Sequence, residues 1–85
     1  MSSADEAANS LQSVVDELHD ALSAAQAARS QAEDGLTHAQ AAGGAAFAVA
    51  FSALRDTIDG LIGQISSTVD KADEAIQEAK AVSTP

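Results

Sequence analysis

Apolar residues recur at alternating steps of three and four positions in two stretches of nearly equal length, which flank Gly43 and Gly44. Each stretch carries one arginine in the series. The first series is Leu11, Val15, Leu18, Leu22, Ala25, Arg29, Ala32, Leu36 and Ala39. The second is Ala48, Phe51, Arg55, Ile58, Ile62, Ile65, Val69, Ala72 and Ile76. This spacing is typical of α-helices that pack along a narrow seam.

The two series mirror each other across the glycine pair, so folding the chain there brings one onto the other. Residue 11 then pairs with 76, 18 with 69, and 36 with 51. The pattern predicts an all-α protein, a long antiparallel two-helix hairpin that forms a single domain over 1–85. The first helix is expected at about 4–42, the turn at 43–44, the second helix at about 45–81, and a frayed tail at 82–85.

A second turn site competes with the glycine pair. Asp34-Gly35 has better turn chemistry, and Thr37 with Gln40 three residues later has the pattern of a helix-capping box. If the chain turned there, the fold would be a three-helix bundle or a pair of kinked helices.

Composition supports the helical interpretation and indicates a small core. Alanine, the best helix former, occupies about a quarter of the chain, and the one proline is the last residue. A chain of 85 residues buries little of its surface, and buried alanines contribute little apolar area each. No cysteine is present to supply a disulfide. We therefore expect two hairpins to dimerise into a four-helix bundle, or one hairpin to pair with a similar helical protein.

The formal charge of −9, from 13 acidic and 4 basic residues, argues against nucleic acid and against an anionic membrane surface as partners. No secretory signal peptide is visible, and the longest apolar run, 41–51, is too short to span a bilayer. The expected location is the cytoplasm, and secretion by a leaderless route is compatible with the sequence.

The most apolar part of the chain lies just after the glycine pair. Alanine, glycine and phenylalanine occupy almost every direction around the helix from 45 to 51. A helix that is apolar all round is buried or covered by a partner, and a two-helix hairpin cannot cover both sides. We therefore expect an interaction surface here, formed by Phe47, Phe51, Leu54, Ile58 and Ile62.

Charged residues near the middle of the hairpin predict its register. Folding at the glycine pair places Arg29 near Asp59 and Glu33 near Arg55. We expect both to form ion pairs between the helices. Their use would be to fix register and orientation, because an apolar seam alone tolerates sliding.

No residue pattern indicates catalysis or a cofactor. His19 lies beside Asp16 and Asp20, but no nucleophile, third ligand or second histidine is placed to complete a site. The acidic residues at 70–78 are interpreted as a solvated helix face. The chain is expected not to be an enzyme and to bind no cofactor or metal.

In size, alanine content, two long helices and a central glycine turn, the chain resembles the WXG100 (ESAT-6-like) helical-hairpin proteins, which are substrates of type VII secretion. Where that family has Trp-x-Gly, this chain has Ala42-Gly43-Gly44-Ala45, and it contains no tyrosine for the family's C-terminal export motif. It is also similar to small alanine-rich helical proteins of actinobacteria. No functional residue carries over from either resemblance.

The expected function is that of a non-catalytic adaptor, accessory or scaffold protein that acts through the apolar seam and tip. The alternatives are a type VII secretion-linked hairpin, which the first resemblance implies, and a protein that binds lipid surfaces or apolar ligands reversibly.

Overall fold

The fold is a two-helix hairpin. The computed structural model describes residues 3–83, in which α1 spans Ser3–Ala41 and α2 spans Ala45–Ser83. Each helix has 39 residues, and the molecule measures 65 × 17 × 11 Å. The three-residue connection makes the two helices antiparallel along their whole length. The prediction of an all-α helical hairpin is confirmed.

The ends of the helices differ slightly from those expected. α1 ends at Ala41 and α2 begins at Ala45, each within one residue of the prediction. α2 continues to Ser83, two residues beyond the expected end, so the first half of the predicted tail is helical. The rest of that tail, residues 84–85, lies outside the described residues.

The turn is built on a glycine with a left-handed backbone. Gly43 has φ of +73°, a conformation that residues with a Cβ rarely adopt. Its N–H donates to the carbonyl of Gln40 at 3.2 Å, and the Gly44 N–H donates to the carbonyl of Ala39 at 2.8 Å. These two bonds form a Schellman motif, which satisfies carbonyls at the end of α1. The Gly44 carbonyl then accepts the bond from the Ala48 N–H at 2.9 Å that starts α2.

The alternative turn at Asp34-Gly35 is wrong. α1 continues through both residues without interruption. The Thr37 hydroxyl donates to the carbonyl of Glu33 at 3.1 Å, a bond made inside a helix and not at its start. The turn preference of Asp34-Gly35 is outweighed by apolar burial. The seam of α1 keeps the same heptad spacing on both sides of Gly35, so a continuous helix buries more apolar surface.

The core is the seam that the heptad pattern defines. All of its residues are buried or half-buried. The most buried are Val15, Ala25, Ala32, Ala39, Val69 and Ile76. No described side chain is completely enclosed. A single layer of contact between two helices therefore supplies the whole core, and both outer flanks of the seam face solvent.

Candidate interaction surface

A stripe of large apolar side chains is exposed along one flank of α2. Phe47 is 71% exposed, Leu54 54% and Leu61 47%. The three follow each other at intervals of seven residues, close to two helical turns, so they lie in a row beside the seam. Solvent-exposed apolar residues are ordinary when scattered, but a row of them marks a contact surface.

A groove between the helices borders this stripe. It has a volume of ≈ 700 Å³ and is walled by α1 and α2 in the half of the hairpin near the turn. Its lining residues are Ala28, Gln31, Ala32, Asp34, Gly35, His38, Phe51, Leu54 and Ile58. The α1 wall is shallow at Ala28, so apolar atoms of another molecule could approach the helix backbone there.

This groove together with Phe47, Leu54 and Leu61 forms the apolar face of the hairpin. Residues 23–64, which include it, form the tip half of the hairpin, and 3–22 with 65–83 form the base half.

Gly35 is a notch that receives the ring of Phe51. A β-carbon built at Gly35 would lie 2.7 Å from Cδ1 and Cζ of that ring, which is closer than real carbon contacts. The ring therefore packs directly on the backbone of α1. This contact gives Gly35 a packing role inside a helix, where glycine otherwise costs about 1 kcal/mol relative to alanine.

We expect Gly35→Ala to be coupled energetically to Phe51. In the wild-type background the added methyl displaces the ring, which cancels or outweighs the gain in helix propensity. In a Phe51→Ala background the same change should stabilise the hairpin by about 1 kcal/mol. Urea denaturation of the four chains in this double-mutant cycle should give a coupling energy of about 1 kcal/mol or more.

Gly60 supplies the control for that cycle, because a β-carbon there meets nothing within 4 Å. Gly60→Ala should have the same effect with and without the Phe51 ring. Equal stabilisation by Gly35→Ala in both backgrounds would contradict the notch.

The opposite flank of the seam carries a cluster of charged side chains, called the ionic face below. The Arg29 guanidinium donates to the carboxylate of Asp59, and its Nη1 lies 3.4 Å from Oε1 of Glu33. Nη1 of Arg55 lies 3.7 Å from the same Glu33 oxygen, and its Nη2 lies 3.2 Å from Oδ1 of Asp56. Glu33 thus bridges two arginines from different helices.

The hydrogen bond to Asp59 raises the pKa of Arg29, and the charges of the nearby carboxylates add to the effect. Arg29 is a seam residue whose stem packs while its guanidinium reaches the solvent-exposed flank. Its guanidinium is therefore positively charged at physiological pH.

The residues expected to form the interaction surface are not equivalent in the structure. Phe47 and Leu54 are exposed, whereas Phe51, Ile58 and Ile62 are half-buried along the seam. The Phe51 ring lies in the Gly35 notch, so it does not share the exposed surface of Phe47. Arg29 with Asp59, and Glu33 with Arg55, are brought together across the helices.

Sequence reasoning missed Leu61 and the α1 wall formed by Ala28 and Gly35. The seven-residue spacing of Phe47, Leu54 and Leu61 was the available signal. This spacing alone does not distinguish a second row from the seam, which repeats at the same interval. No sequence signal connects Gly35 to Phe51 until the hairpin register is known.

Residues 3–83 hold no group of three or more histidine, cysteine or acidic side chains arranged to bind a metal ion. Neither described helix contains a stretch apolar enough to cross a membrane.

Comparisons of the chain with protein-family models, curated proteins and solved structures found no match.

Proposed function

We propose that this protein is a non-catalytic helical interaction protein, an adaptor, accessory or scaffold, that acts through its apolar face. One observation carries the proposal: the two flanks of the same hairpin differ in kind. One flank presents Phe47, Leu54 and Leu61 beside an open groove. The other is occupied by ion pairs that join α1 to α2.

This asymmetry separates binding from folding. The seam and the ion pairs hold α1 against α2, so the exposed apolar row is not needed for the hairpin to fold. Covering the row with a partner would remove apolar side chains from water, which favours binding by about 1–2 kcal/mol for each large side chain covered. The half-buried Phe51 and Ile58 form the floor between the row and α1, which gives the surface a fixed shape.

Position-specific photo-crosslinking in the cells that make the protein tests the proposal. A photoreactive phenylalanine analogue is placed at Leu54 or Leu61 on the apolar face. The matched controls are Ser30 and Ser67, which are exposed on helix sides that point away from this face. We expect discrete adducts from the first two positions and none from the controls.

The pattern of adducts decides the outcome. Adducts confined to the apolar face support an interaction role, whatever the mass of the partner. No adduct at any position, or equal adducts at all four, would overturn it.

A further inference from the structure

We propose that the occupant of the apolar face is a second copy of this chain, stacked antiparallel on the first through the tip halves. The two-fold axis would pass near Leu54. This inference rests on the proposed function, since it names the partner for the same surface. It follows from three independent properties: the area the hairpin exposes, the spacing of its apolar row, and the distribution of its charge.

The hairpin exposes more surface than a compact protein of its mass. Its accessible area is 5795 Å², whereas a folded monomer of 8.5 kDa is expected to expose about 4,700 Å². The excess is about 1,100 Å², slightly more than the ~800 Å² that each partner buries in a stable protein–protein interface. The hairpin therefore exposes enough surface for an interface of ordinary size on one face.

The apolar row is complementary to itself. Leu54 lies midway between Phe47 and Leu61, seven residues from each. A two-fold axis at Leu54 places Phe47 of one copy against the partner's Leu61, and the reverse contact follows by symmetry. The two Leu54 side chains meet over the grooves, where the small side chain of Ala28 leaves room on the α1 wall. One patch thus serves as both surfaces of the contact.

Charge selects the antiparallel stack over the parallel one. The base half carries nine of the 13 acidic residues and only two bases, Lys71 and Lys80. A parallel stack would lay one strongly acidic base half on another. In the antiparallel stack only the tip halves overlap, and these carry four acids and two bases. The acidic base halves then point in opposite directions, which lowers their repulsion.

Sedimentation equilibrium tests the occupant directly. The wild-type chain should have a mass twice 8.5 kDa. Leu54→Lys puts two positive charges at the axis and should raise the dimer dissociation constant at least about 30-fold. Helix content from circular dichroism should not change, because Leu54 is exposed in the hairpin.

Two matched lysine substitutions serve as controls. Val49 is 70% exposed on the side of α2 away from the apolar face, and Val49→Lys should leave the dimer intact. Val14 is 49% exposed in the base half, outside the antiparallel overlap. Val14→Lys should also leave it intact.

Disulfide trapping tests the orientation without disturbing the core. The chain has no cysteine of its own, so any disulfide that forms must join the introduced cysteines. Mixing Phe47→Cys chains with Leu61→Cys chains should give mixed dimers on mild oxidation, and Leu54→Cys should link to itself. Links between like positions at 47 and at 61 would show a parallel stack and overturn the proposed geometry.

The two proposals fail separately. A wild-type chain that stays monomeric at all concentrations overturns self-association. If photo-crosslinks at Leu54 then join the chain to a different protein, the interaction role still stands with another partner. If they are absent as well, both proposals fall.

Discussion

Replacing Ile76 with alanine should remove about 2–4 kcal/mol from the free energy of unfolding, the range measured for buried large-to-small changes. Ile76 is 6% exposed and lies opposite Leu11 in the seam of the base half. The seam is a single layer, so few neighbours can move in to fill the cavity. Small domains have about 5–15 kcal/mol of stability in total, and this hairpin has little core. The variant should therefore be largely unfolded near body temperature.

Urea denaturation followed by circular dichroism measures this loss. Chain concentration must be held fixed, because association would add to apparent stability. Val49→Ala is the control: it makes a similar change at a site 70% exposed, so its effect should stay within about 0.5 kcal/mol. A loss below 1 kcal/mol for Ile76→Ala would show that the base half contributes almost nothing to the hairpin's stability.

The seam could be predicted because heptad spacing and burial have the same cause. Only one stripe of each helix can contact the other, so residues such as Val15 and Val69 had to recur at that spacing to be buried. Turn position was harder. The heptad repeat tolerates a shift of the turn by about half a heptad, and the glycine pair fixes its place because Gly43 can adopt the left-handed backbone that the turn requires.

The candidate surface was predictable only in part, because it depends on which flank of the seam each residue occupies. Periodicity marks a residue as near the seam but does not say whether it is packed or exposed. Phe51 belongs to both the seam series and the predicted interaction surface, and the absence of a side chain at Gly35 lets its ring pack against α1. Leu61 lies outside both sets, and it completes the row that starts at Phe47. Both facts come from contacts between distant residues.

The second large effect is a gain in stability. Gly60 and Gly63 lie inside α2, both are exposed, and a β-carbon at either position meets nothing within 4 Å. Alanine there restricts the unfolded chain and favours the helix, with a gain of about 0.5–1 kcal/mol for each site. Because neither added methyl meets another group, the two gains should be nearly additive, and the double variant should gain about 1–2 kcal/mol.

The same substitution at Gly43 should have the opposite sign, which makes it the matched comparison. Its backbone is left-handed, and alanine in that conformation costs about 1–2 kcal/mol. The midpoint of urea unfolding should therefore rise for Gly60→Ala with Gly63→Ala and fall for Gly43→Ala. If the double variant were destabilised while the hairpin remained monomeric, α2 would need flexibility at these glycines. If instead only the dimer were weakened, a partner would approach α2 on this side, and the antiparallel stack would be wrong.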